Sequence, residues 1–141
     1  MSHITDSISV RVRFSEVDAM GVVWHGNYLK YFEDGRENLG ETHGMTYMDI
    51  ANHGFFIPIV NVDIKYKSPI TFGQNIRIDC KLLNSRAAKL IHEYSVWNLD
   101  TNQLSCQGTT EQVFLDKNSR ELVLNYPSFY EEWVKKTNWI D

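Results

Sequence analysis

This 141-residue chain is short of several things. It has only two cysteines, Cys80 and Cys106, too few for a disulfide framework. No apolar run approaches the ~20 residues of a membrane helix. Met1-Ser2-His3-Ile4-Thr5-Asp6 lacks the basic-then-apolar pattern of a secretory leader. These absences point to the cytoplasm and away from membranes. Basic residues do not predominate. A formal net charge of −4 argues against nucleic acid as the main partner, so an anionic ligand would need a local basic patch. The five histidines show no H-E-x-x-H spacing and there is no C-x-x-C, which leaves no metal site to assign. A Gly-rich phosphate loop and a G-x-S-x-G serine elbow are also missing. No repeat, linker or low-complexity tract divides the chain. The rest is ordinary: 43% hydrophobic and 23% charged, with aromatics somewhat rich at 13%. That suits one globular domain, residues 1–141, with room for a core.

Periodicity then supplies the elements. From Ser7 to Phe14 the apolar Ile8, Val10, Val12 and Phe14 alternate with polar neighbours, the pattern of a half-buried strand. Residues 27–43 place Tyr28, Tyr31, Phe32, Gly35 and Leu39 on one helical face. Gly35 there costs helix propensity, which implies close approach of the helix backbone to a sheet. Glu33 and Arg36 are spaced to form an ion pair. Gly44 reads as a helix stop, and Thr46-Tyr47-Met48-Asp49 as a capping box opening a short helix to Asn52. Alternating strands follow: 60–66, 76–82, 90–97, and 104–115 with an interruption near Gly108. Asn84-Ser85-Arg86-Ala87 reads as a hairpin. Pro127 opens a last helix whose apolar side is Phe129, Tyr130, Trp133 and Val134. Strands joined by short turns favour an antiparallel sheet.

The chemistry concentrates between Arg13 and Tyr28. Asp18 lies in a turn with Gly21, Val22-Val23-Trp24 forms an apolar plug, and His25-Gly26-Asn27 opens the helix with Asn27 as a plausible N-cap. A helix start offers unpaired N–H groups and a positive dipole end. An acid held near it can activate water while the N–H groups receive an oxyanion. From spacing alone Asp18 reads first as a turn acid bonded to its own backbone.

Asp18, Gly21, His25, Asn27-Tyr28 and Tyr31-Phe32-Glu33-Asp34-Gly35-Arg36, together with Lys67-Ser68-Pro69, resemble the signature of the hotdog-fold acyl-CoA thioesterases. The branch most resembled is that of 4-hydroxybenzoyl-CoA thioesterase. The resemblance spans about Val10 to Leu115. It implies an α+β hotdog fold, an antiparallel β-sheet wrapped around a central α-helix. It implies hydrolysis of an acyl-CoA to a free acid and coenzyme A, coenzyme A being part of the substrate and no separate cofactor being called for. Asp18 would be the general base or nucleophile, and His25 would act through its backbone N–H or its imidazole. Gly26, Asn27 and Tyr28 would meet the substrate at the helix start. Glu33 is a reserve base. On the 84–89 hairpin, Arg86 and Lys89 would hold the nucleotide phosphates, with Lys65 and Lys67 weaker candidates. A solvated charged turn is the plainer reading of that hairpin. Relatives of this kind join sheets edge to edge, so a homodimer or homotetramer is expected. Two alternatives stay open: a non-catalytic acyl-CoA-binding hotdog module, and a hydratase or dehydratase on the same fold.

Overall fold

A computed structural model describes residues 1–141. The chain runs β1 (His3–Arg11), α1 (Tyr28–His43), α2 (Tyr47–Asn52), β2 (Phe55–Phe56), β3 (Ile59–Tyr66), β4 (Asn75–Leu83), β5 (Lys89–Asn98), β6 (Gln103–Asp116), β7 (Leu122–Val123) and α3 (Ser128–Lys136). Every strand pair is antiparallel. Across the sheet the order is β1-β4-β5-β6-β3, with β2 and β7 pairing the last residues of β6. One sheet face is lined by alternate residues such as Ile76, Ile78, Cys80 and Leu82 of β4 and Leu90, Tyr94 and Val96 of β5, all buried. Against that face lies α1, which buries Tyr28, Tyr31, Phe32, Gly35 and Leu39. This is the hotdog architecture, a helix wrapped by a sheet.

Two glycines let the helix in. A β-carbon on Gly35 would stand 3.0 Å from Ile78 Cγ2 and 3.2 Å from Cys80 Cβ, so the helix backbone rests directly on β4. A β-carbon on Gly108 would fall 2.6 Å from the Phe32 ring. The sequence pattern places an interruption at Gly108, but β6 runs through it without a break; the small residue makes room for an aromatic ring. At its far end α1 stops at Gly44, whose φ of +80° lets its N–H bond back to Gly40. The Thr46 capping box forms in both directions, Asp49 N–H to Thr46 Oγ1 and Thr46 N–H to Asp49 Oδ2.

Two more expectations need correction. Strand β1 starts at His3 and stops at Arg11, so Phe14 falls beyond it, in a short 3₁₀ turn. Its side chain is exposed and meets Phe72 edge-on, with ring centroids 5.7 Å apart. Glu33 and Arg36 make no ion pair. Arg36 turns inward and donates to the Tyr94 hydroxyl at 2.9 Å, which shares a hydrogen bond of 2.6 Å with Thr110 Oγ1. A buried phenol under the helix competes better for the guanidinium than an exposed carboxylate, whose ion pair is worth little in water.

Replacing Gly108 with Ala is expected to destabilise the fold by about 1–3 kcal/mol, the usual cost of overpacking. The added carbon meets a ring already stacked on Tyr94 and would itself stand 2.9 Å from the Asp63 carbonyl oxygen. A thermal midpoint equal to wild type by circular dichroism would show that Phe32 is free to shift.

Candidate functional site

The loop between β1 and α1 is closed by main-chain bonds. Val17 bridges Val23, and Val22 bridges Thr71. Asp18 N–H donates to Val22 O at 2.8 Å, and Trp24 N–H to Glu16 O at 2.9 Å. Val23 N–H reaches Ile70 O at 2.8 Å. The loop thus doubles back and is stitched to the segment after β3, holding Asp18 and His25 at one end of the sheet. Gly21, at φ +79°, turns the tip. One oxygen of Asp18, Oδ1, accepts the Met20 N–H at 2.8 Å, the turn bond expected of an aspartate there. Its Oδ2 has no partner in the chain.

The helix starts through a three-residue 3₁₀ turn, His25–Asn27. Asn27 sits at the cap position of α1 but makes no side-chain cap. Instead its buried amide donates to Glu16 O at 2.7 Å, fastening the turn to the preceding loop. The N–H groups of His25 and Gly26 have no hydrogen-bond partner, as is usual for donors at a helix start. Tyr66, at the end of β3, donates to His25 O at 2.9 Å and packs edge-on against Tyr28. The Trp24 ring lies over Gly26 so closely that a β-carbon there would fall 2.1 Å from it. Tyr28 is buried, and burial pushes its hydroxyl up to about 12, which suits a wall of the site. Exposed Phe14, Met20, Trp24 and Phe72 give this end of the molecule an apolar surface.

Arg86 and Lys89 are exposed at the β4–β5 hairpin. That hairpin adjoins the start of β1, since Asn84 N–H donates to Ser2 O. The loop carrying Asp18 follows the other end of β1. Nine residues of strand separate them, about 30 Å. Within one chain the basic hairpin and Asp18 therefore lie at opposite ends of the sheet. No group of three or more His, Cys, Asp or Glu side chains is arranged to hold a metal ion.

A cleft of about 620 Å³ runs beside α1 from Glu33 to Gly40. Its walls include Leu39, Ile50, Ile57, Leu82, Leu90 and Trp133. Buried His92 of β5 and Gln112 of β6 also line it.

Residues 12–136 match the family described as the Thioesterase-like superfamily. The chain belongs to the Thioesterase-like superfamily. The chemistry of this family is thioester hydrolysis. A Bacillus subtilis (strain 168) relative named "Putative acyl-CoA thioesterase YneP" is 32% identical over 110 residues, 78% of this chain and 79% of its own. The DHNA-CoA thioesterase of Staphylococcus aureus superposes with a TM-score of 0.83 at 24% identity, covering 94% of this chain and 89% of that one. The BH1999 gentisyl-coenzyme A thioesterase superposes with a TM-score of 0.77 at 19% identity, over 92% and 99% of the two chains. These last two likenesses are of fold.

In this thioesterase-like chain spacing did not single out Tyr66 beside the helix start, nor His92 and Gln112 of the cleft. Tyr66 falls in the apolar phase of its strand, where an aromatic reads as core although it is exposed here, and His92 is buried in the inward phase of its own. Gln112 sits at a buried position of β6, and a glutamine in an inward phase is the signal that was there to find. Burial pushes His92 down from its ordinary 6.5 to about 3, the Arg36 charge acting in the same direction. Below pH ~6.5 the unfolded chain accepts a proton on His92 that the folded chain refuses. Stability is therefore lost as pH falls, by about 1.4 kcal/mol per unit until the folded value is reached, and nothing is lost above pH ~6.5. Between pH 7 and 5, His92→Phe is expected to lose about 2 kcal/mol less stability than wild type in urea unfolding. Equal losses would mean that His92 protonates in the folded chain.

Proposed function

We propose that this chain hydrolyses acyl-CoA thioesters, releasing a free acid and coenzyme A, with Asp18 as the base. In this reading Asp18 takes a proton from water and the oxygen adds to the thioester carbonyl carbon. The carbonyl oxygen, now negative, is received by the His25 and Gly26 N–H groups. The C–S bond then breaks and the thiolate takes the proton. A thiolate leaves readily, so no strong acid is needed. The observation that carries the reading is the pairing of an unpartnered carboxylate oxygen with two unpartnered N–H groups on one stitched loop. Donors fixed before the reaction are worth most where charge develops. The relatives named as acyl-CoA, DHNA-CoA and gentisyl-CoA thioesterases agree with it. The His25 imidazole, tilted against the Trp24 ring with centroids 4.8 Å apart, is assigned no proton transfer; Gly26, Asn27 and Tyr28 shape the helix start.

Assembly belongs to the same reading. Strand β3 pairs only with β6, and its free edge carries exposed Ile59, Val60 and Val62. Such an edge invites pairing. Two copies joined antiparallel along β3 would bring the partner's basic hairpin to the same end of the joined sheet as Asp18. Arg86 and Lys89 of one copy would then hold the nucleotide of a substrate cleaved in the other. Light scattering at micromolar concentration is expected to give at least a dimer; a monomer that still hydrolyses acyl-CoA would overturn this arrangement.

Asp18→Asn tests the chemistry. Asparagine keeps an Oδ1 to accept the Met20 N–H, so folding and ligand binding are expected to hold. Free-thiol release should fall by roughly 10²-fold or more in kcat, the effect of losing a positioned base. A variant that keeps most of its kcat would make Asp18 a turn residue and Glu33 the next base to test. A wild type that binds acyl-CoA without turnover would be a binding module.

A further inference from the structure

We propose that the cleft beside α1 takes the acyl group of the substrate and selects one bearing an uncharged hydroxyl, read by His92 and Gln112. This rests on the acyl-CoA reading above.

The cleft is of the right size and in the right place. Its volume of about 620 Å³ falls inside the range of small-molecule sites, which are mostly apolar with a few placed polar groups. Its helical wall begins at Glu33, five residues after Tyr28, or about 8 Å along the axis. The polar pair lies deeper: Tyr66, which holds the His25 carbonyl, is level with Val96, and His92 is four strand residues farther on, about 13 Å, so a long acyl chain is needed to reach it.

Its floor is polar in a way the fold does not use. Gln112 Nε2 donates to Ile57 O at 3.0 Å, which fixes the amide orientation and leaves Oε1 as the free end. That Oε1 and His92 Nδ1 are the only buried side-chain N or O atoms in the chain without a hydrogen-bond partner. They lie on neighbouring strands, His92 opposite Thr110 and Gln112 opposite Leu90. A neutral imidazole offers one donor and one acceptor, and an amide oxygen accepts. A hydroxyl, which both donates and accepts, satisfies the pair; a methylene satisfies neither.

Charge narrows the class. Glu33, Asp34 and Glu37 line the cleft from the helix. Burial and the neighbouring Glu16 and Glu33 push Asp34 above the usual carboxylate range, the mark of an acid-rich surface. The one cation among them, Arg36, is turned onto the Tyr94 hydroxyl. A carboxylate at the end of the acyl group would enter against three acids.

The test is free-thiol release by wild type on decanoyl- to tetradecanoyl-CoA, each plain, with a terminal hydroxyl and with a terminal carboxyl. At one chain length the hydroxyl is expected to raise kcat/KM at least about tenfold over the plain chain, because a site built to bond a hydroxyl penalises its absence. The carboxyl should fall below the plain chain. In His92→Phe and Gln112→Met the hydroxyl-to-plain ratio should drop towards one. Should either variant fail to fold, the wild-type ratio decides. Thiol release with equal kcat/KM for plain and hydroxylated chains at every length would overturn the inference, leave the thioesterase reading standing and assign the polar pair to water. Release from no acyl-CoA would overturn both.

Discussion

The Phe32 ring lies flat on that of Tyr94, with centroids 4.1 Å apart and planes within 4°, and the rest of the structure depends on that stack. It fixes both the height and the rotation of α1 over the sheet. Phe32 is fully buried, which is worth about 1.5–3 kcal/mol for a side chain of its class. The stack exists only because Gly108 leaves space behind the ring and Gly35 lets the helix down onto β4. Tyr94 then uses its hydroxyl to bind Arg36 and Thr110, locking the turn of helix that follows. With the rotation set, Glu33 and Glu37 must face the cleft, and the helix start must meet the loop from β1.

That loop is held by a different kind of force. The Asn27 amide donates to Glu16 O, and Tyr66 holds the His25 carbonyl. Backbone bonds from Asp18, Val23 and Trp24 supply the remaining rigidity. The turn is thereby positioned without covering the His25 and Gly26 N–H groups. A site built this way resists distortion, because moving it requires breaking several main-chain bonds at once.

Much of this could be read in the amino-acid order, and the exceptions have physical causes. The period-2 alternation of β3 to β6 and the helical face of α1 are local patterns, and they placed those elements within a residue or two. Gly35 was legible because a glycine on the buried face of a helix has few other uses. Gly108 was not, because a glycine within a strand looks the same whether it breaks the ladder or admits a ring from a helix 76 positions away. The Glu33–Arg36 pairing failed for a similar reason: spacing shows which side chains can meet on a helix, and Tyr94 on a distant strand offered Arg36 a better partner. Asp18 and His25 stand together on one loop as the motif suggested. The separation of Asp18 from Arg86 and Lys89 is a property of sheet topology, which residue spacing does not carry.

The cleft's polar floor runs against stability. A buried polar group left unsatisfied costs about 1–3 kcal/mol, a large part of the 5–15 kcal/mol that holds a typical domain together. Methionine or leucine at position 112, and phenylalanine at 92, would fill the same strand positions without that cost. The bond from Gln112 to Ile57 O explains the amide nitrogen but leaves the buried oxygen without a partner. In the reading proposed above, the stability that these two groups on neighbouring strands forgo beside a ligand-sized cleft is spent on recognition.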